Sequence, residues 1–210
     1  MTLSEAAIAC SSQIGQMMLE GVWEVTGQAG AADLNTLVKL SPPKIAVILP
    51  AEQSNISFDD LSAIQLALES LYGRLGGQGV ALRAGRAASS QVFRRFGVQM
   101  GLQALGYRLL PGPNRVRVGL SALAAKVSEL SCNRFIVTEN RDAWLWQGSF
   151  CPVCWQRQSE LPACYFIVGL LQEFLSIISG GKIFDVVETE CRAVGGDACI
   201  FRIDKQVLEQ

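Results

Sequence analysis

Residues 183–203 read IFDVVETECRAVGGDACIFRI, and this stretch decides the architecture. Ile183–Glu190 and Ala198–Ile203 are rich in β-branched and aromatic residues and alternate in polarity, so each predicts a strand. Gly195-Gly196-Asp197 supplies the turn between them. Immediately upstream, an apolar run predicts a helix over about 160–178, stopped by Gly180-Gly181. Before that helix, Arg134–Thr138 (RFIVT) and Ala143–Gln147 (AWLWQ) predict a second strand pair around the polar turn Glu139–Asp142. The order strand–strand–helix–strand–strand implies a mostly antiparallel sheet.

The remainder of the chain reads as helical. Residues 3–20 and 31–40 predict short helices separated by a loop around Gly27 to Gly30, and Ser41-Pro42-Pro43 breaks the chain. Lys44–Leu49 (KIAVIL) predicts a buried strand ended by Pro50. Ser57 with Asp60 makes an N-cap with an acidic residue at N3, opening a helix over 58–75 with Leu61, Ile64, Leu68 and Leu71 at helical spacing. The glycines at 73, 76, 77 and 79 predict a turn, followed by a second long helix over 80–105. Pro111 to Asn114 predicts a loop, and Gly119–Leu130 a third helix. Together these give an α+β fold, helices packed on a mostly antiparallel sheet, with an N-terminal helical extension (1–43) ahead of the main domain (44–210). There is no internal repeat.

Half of the 210 residues are apolar and 18% are charged, which excludes a disordered chain. A net charge of −1 gives no sign of nucleic-acid binding. There is no histidine, which removes Ser–His–Asp triads, Cys–His dyads, HExxH zinc sites and histidine-ligated haem. The start, MTLSEAAIACSSQ, lacks the basic and apolar regions of a secretory leader. Cys164–Ile178 is too short and too polar to span a bilayer. The expectation is a cytoplasmic protein with reduced thiols. Nine of the eighteen cations lie between Glu69 and Glu129, where no acidic residue occurs. This basic segment, 74–126, reads either as a solvated face or as a docking surface for an acidic protein partner.

Seven cysteines are present, five of them between 151 and 199. Glu188, Cys191 and Cys199 follow E-x-x-C-x7-C across the predicted hairpin, and Cys164 lies at the start of the preceding helix. Three sulfurs and one carboxylate oxygen suit tetrahedral Zn²⁺, and a helix N-terminus favours the thiolate of Cys164. Such a site is closed by protein ligands and therefore structural. Cys151-Pro152-Val153-Cys154 is a candidate thiol site with several readings: a turn, a redox pair, half of a metal site, or an attachment point for a linear tetrapyrrole. The competing donor set Cys151, Cys154, Cys191 and Cys199 ranks behind because its second pair is spaced eight apart and leaves Glu188 unused. Trp144 and Trp146 alternate on one strand and share a face, with Tyr165 near in sequence; Phe93, Phe96 and Met100 come from the long middle helix. These aromatics read as core or as the lining of an apolar cavity. Gly97 and Gly101 suggest close helix packing. No G-x-G-x-x-G stands between strand and helix and no Walker A sequence occurs, so a reductase acting alone is not expected.

The pattern V-x-E-T-x-C-x3-G-x3-C-x-F-R-I at 186–203, with LRAGRAASSQVFRRFG at 82–97 and CPVCWQRQSELPACYFIVGLL at 151–171, resembles the 4-vinyl reductase domain family over roughly residues 44–204. That family occurs in accessory proteins of chlorophyll formation, in cyanobacterial proteins of photosystem assembly, and as the sensory part of phenol-responsive activators. It is similar in fold to small subunits of the Golgi-transport tethering complex. The resemblance implies a dimerising domain with a pocket for an apolar small molecule and a structural zinc held by three cysteines and one glutamate. These fall on Cys164, Glu188, Cys191 and Cys199 here. The expectation is a non-catalytic homodimer that binds a tetrapyrrole, in the cytoplasm or peripheral to a photosynthetic membrane. A sensory module or a ligand-free scaffold is the alternative.

Overall fold

The computed structural model describes residues 12–38, 56–131 and 133–208. Helix α1 (Ser12–Val38) is two helices joined across a kink at Gly27, as expected, with a single non-helical residue in place of the longer loop. The residues around 27–30 carry enough helix-compatible side chains for the chain to resume after a single non-helical residue. The expected strand Lys44–Leu49 lies outside the described residues.

Helix α2 (Phe58–Phe96) begins with the expected capping box: Ser57 accepts from the Asp60 amide, and the Asp60 carboxylate accepts from the Ser57 amide at 2.9 Å. The span is two helices meeting at Gly73 (φ 72, ψ 163), where the expected turn begins; the second helix resumes directly after it, through Gly76, Gly77 and Gly79. That dihedral pair is outside the reach of an L side chain, so one glycine makes the kink and the others stay helical. The second expected helix therefore starts well before residue 80 and stops at Phe96, not 105. A short helix α3 (Leu105–Arg108) follows, then α4 (Gly112–Ser131). Helix α4 starts ahead of the expected Gly119 because Pro113 sits in its first turn, where a missing N–H costs nothing.

The sheet comprises β1 (Phe135–Glu139), β2 (Ala143–Gly148), β3 (Phe184–Glu190) and β4 (Cys199–Val207). Its order is β1-β2-β4-β3 with every neighbour antiparallel. Helix α5 (Tyr165–Ser179) precedes β3 and ends at Gly180 in the left-handed conformation. Register places Trp146 opposite Phe201, Phe201 opposite Glu188, and Trp144 opposite Ile203, so these side chains share the inward face. Against that face pack α4, through Leu120 and Leu123, and α5, through Phe166, Leu171, Phe174 and Leu175, all fully buried. The apolar face of α1, including Val22, Ala31 and Leu34, joins the same core.

Helices α2 and α5 touch backbone to backbone. A Cβ on Gly85 would run into the Phe166 carbonyl, and one on Gly169 into the Leu82 carbonyl. Gly85 and Gly169 thus bring α2 and α5 together, and Gly21 brings α1 against the Ala84 carbonyl of α2; Gly97 caps α2 and Gly101 lies in a turn at φ 73.

Candidate metal centre

One end of the sheet gathers the cysteines. Gly148, which ends β2, pairs with Cys199, which starts β4, and β3 ends at Glu190 beside Ile200. The chain leaving β2 therefore emerges next to the β3–β4 turn. That connection carries Cys151, Cys154 and Cys164, and the turn carries Cys191. Glu188 arrives by strand alternation: Phe184, Val186 and Glu188 all face inward.

Cys151, Cys154, Cys164, Glu188, Cys191 and Cys199 are all buried. Two donor quartets have ligand atoms lying within 4.8 Å of one another: Cys164, Glu188, Cys191 and Cys199, and Cys151, Cys154, Cys164 and Cys199. The Sγ atoms of Cys164 lie 3.4 Å from Cys151, 3.8 Å from Cys191 and 3.9 Å from Cys199; Cys154 is 3.4 Å from Cys199. Zinc–sulfur bonds of about 2.3 Å give a tetrahedral edge of roughly 3.8 Å, so these spacings are those of a thiolate cage. The cluster can hold a metal.

The electrostatics agree. Glu188 Oε2 accepts from the Cys164 amide at 2.8 Å, while Oε1 is buried without a hydrogen-bond partner. An acceptor left bare in the interior is costly, and a cation is the natural partner for it. Burial pushes the Glu188 carboxyl above the usual carboxylate range and the Cys164 thiol well above the usual thiol value. Hydrogen bonding from Cys151 works the other way on Cys154 and lowers it. A cation at the centre removes the burial penalty by neutralising the ionised donors.

The quartet expected from Glu188, Cys191, Cys199 and Cys164 is thus assembled. The pair Cys151 and Cys154 belongs to the same cluster, beside Cys164 and Cys199. What the sequence reading missed is this merger. Its signal was the position of Cys164, ten residues after Cys154 at the mouth of a helix. Two contacts from α2 hold the loop: Ser62 donates to the Trp155 carbonyl at 2.7 Å, and Arg157, 5% exposed, pairs with Glu69 at 2.8 Å. Cys10 and Cys132 lie outside the described residues.

The aromatic candidates are placed separately. Trp146 is core, stacked on Phe135 at 4.5 Å and edge-on to Phe201. Phe93, Phe96 and Met100 are half-buried around the end of α2, with Lys126 over the Phe96 ring, and Tyr165 is half-buried at the start of α5. Trp144 lines a cleft of about 190 Å³, together with Pro113, Val116, Phe184 and Val207 and the cationic Arg115, Lys182 and Lys205. In the basic segment, Arg95 pairs with Glu20, Lys126 with Glu129, Arg117 with Glu139, and Arg86 with Gln172.

The family model of the 4-vinyl reductase domain matches residues 148–205, the stretch that holds every member of the cysteine cluster. No curated protein matches. Among solved structures, an oxygen-binding H-NOX domain related to soluble guanylate cyclases, in its oxygen complex, is 14% identical, with 95% of this chain and 97% of that one covered at a TM-score of 0.57. An H-NOX protein from S. oneidensis in the Fe(II)NO ligation state is 14% identical, with 92% and 99% covered at 0.58. The phenol-responsive sensory domain of the transcription activator PoxR, with phenol, is 16% identical, with 71% and 74% covered at 0.52. The chain therefore carries a 4-vinyl reductase domain match across its metal-competent C-terminal region, within an α+β fold like that of the H-NOX domains.

Proposed function

We propose that this chain is a non-catalytic binding or sensory domain for an apolar small molecule, with a tetrapyrrole as the ligand class. The observation that carries this reading is the cleft beside Trp144, lined by aromatic and cationic residues, in a fold shared with ligand-binding domains. Proteins of the H-NOX family hold haem, a tetrapyrrole. Lys182 is the lining cation for a ligand carboxylate, whereas Arg115 is held by the Ser179 carbonyl and Lys205 by Glu139 and the Asn140 carbonyl, over the Trp144 ring. With no histidine in the chain, an iron porphyrin would need a Cys, Met or Tyr ligand, so recognition by shape and carboxylate pairing is the better account. Zinc at Cys164, Glu188, Cys191 and Cys199 would fasten the β3–β4 turn to the start of α5. The sequence resemblance supports a setting in pigment handling or photosystem assembly, as a homodimer that docks an acidic protein on residues 74–126. Among the described residues no helix is long and apolar enough to cross a membrane.

A second reading, a small aromatic effector, is favoured by size. The cleft, about 190 Å³, is below the roughly 300–1,000 Å³ of sites for larger ligands, whereas a cavity of about 150 Å³ accepts benzene. Titration with protoporphyrin IX and with phenol, followed by tryptophan emission and the 350–750 nm spectrum, separates the two. Saturable quenching with a shifted Soret band, weakened about tenfold by Trp144→Ala, supports the tetrapyrrole reading. Saturation by phenol alone supports the second, and saturation by neither overturns both.

A further inference from the structure

The cysteine cluster offers more donors than one ion can use. A tetrahedral ion takes four ligands, yet six buried donors converge here, and the two quartets share Cys164 and Cys199. Two tetrahedra that share one edge need six donors in all: two bridging and two terminal on each side. That is the composition present. Cys164 and Cys199 form the common edge, 3.9 Å apart. Cys151 and Cys154, at 3.4 Å from Cys164 and Cys199 respectively, complete one quartet on that edge, and Glu188 with Cys191 complete the other.

We infer that the cluster is a dinuclear site for two divalent, thiophilic ions of the zinc class, bridged by the thiolates of Cys164 and Cys199. This goes beyond the single zinc proposed above and rests on the same residues. Each single-ion alternative strands something. An ion in the all-cysteine quartet leaves Glu188 Oε1 without a partner in the interior. An ion in the glutamate quartet leaves two buried thiols pressed against metal-bound sulfurs. Only sharing satisfies all six donors.

Charge does not oppose the second ion. One divalent ion against three thiolates and a carboxylate leaves two formal negative charges. The second brings two positive charges while Cys151 and Cys154 release two protons to solvent, so the net buried charge is unchanged. The Arg192 amide, 3.5 Å from the Cys199 sulfur, donates to one of the bridging atoms.

The test is metal stoichiometry on the full chain purified under reducing conditions, by elemental analysis and with cobalt as a spectroscopic probe. Two zinc ions per chain are expected, falling to one in the double variant Cys151→Ser/Cys154→Ser and to one in Glu188→Gln/Cys191→Ser. In a cobalt titration of the wild-type chain, the paramagnetic resonance signal per cobalt should drop as the second equivalent enters, because bridging thiolates couple the two spins. That readout needs no variant to fold. One ion per chain in the wild type overturns the dinuclear site and leaves the single zinc standing, whereas none overturns both. Additive cobalt signals, or iron accompanied by inorganic sulfide, also overturn it.

Discussion

At the scale of the residue, burial sets the chemistry. Glu188 reaches the interior because β3 alternates; burial raises its carboxyl pKa, and a bound cation would offset that cost by favouring the carboxylate. Tyr107 is a second case. Its hydroxyl donates to the Arg115 carbonyl at 3.0 Å, and burial pushes its pKa from 10.0 to about 12. The folded state holds this proton more tightly than the unfolded chain, so stability is present below pH 10 and is lost as pH rises towards 12. Because the ring is only half-buried, solvent screening limits the loss to about 1 kcal/mol. Denaturant midpoints at pH 9 and pH 11.5 should therefore diverge less in Tyr107→Phe than in the wild type. Glu69→Gln strips the partner from the buried Arg157 guanidinium and should cost about 3 kcal/mol, measured by urea unfolding. A cost within error of zero would show that the ion pair does not fasten the Cys151–Cys154 loop to α2. The helix cap at Ser57 and Asp60 was legible from two letters, because a cap is local. The loss of hydration at Glu188 was not, since it depends on what covers the strand.

At the scale of the element, the strands were legible to within a few residues because alternation is written along the chain. Helix boundaries were less so. Gly73 and its neighbours look alike in sequence, yet only Gly73 leaves helical dihedrals within that cluster. The difference arises because the chain turns back at Gly73, so closely that a Cβ on Gly77 would lie 2.6 Å from the Glu69 backbone. Gly85 and Gly169 make the same point: in sequence each is a weak helix residue, and in the fold each is the place where two backbones meet. Gly85→Ala should cost about 3 kcal/mol, because the Phe166 backbone carbonyl meets the new methyl and cannot rotate away. Gly79→Ala, exposed in the same helix with nothing near the added Cβ, should stabilise by about 0.8–1 kcal/mol. Thermal melts of the two variants, read by circular dichroism, should shift in opposite directions.

At the scale of the whole molecule, the cluster ties together the end of β2, the start of α5, and the β3–β4 turn. Metal bound there reports on the fold as a unit, and structural zinc sites are worth on the order of 10 kcal/mol of apparent binding free energy. Stripping metal with a chelator under reducing conditions should therefore lower the melting temperature by tens of degrees and abolish a single cooperative transition. Re-addition of zinc should restore both. An unchanged melt after verified metal loss would show that the core of α2, α4 and α5 holds the sheet by itself. By itself, the sequence determined the α+β class, the four C-terminal strands and the helix between them. It also named Cys164, Glu188, Cys191 and Cys199 as candidate ligands, which the fold brings within 4.8 Å of one another, because periodicity, turn residues and motif spacing are properties of neighbouring positions. Only the tertiary structure decided that the second helix of α2 resumes directly after Gly73 and that Trp144 borders a cleft while Trp146 is core. It alone brought Cys151 and Cys154 to the other thiols. Those outcomes depend on strand order and on which backbones can touch, and contacts between distant segments leave no period along the chain.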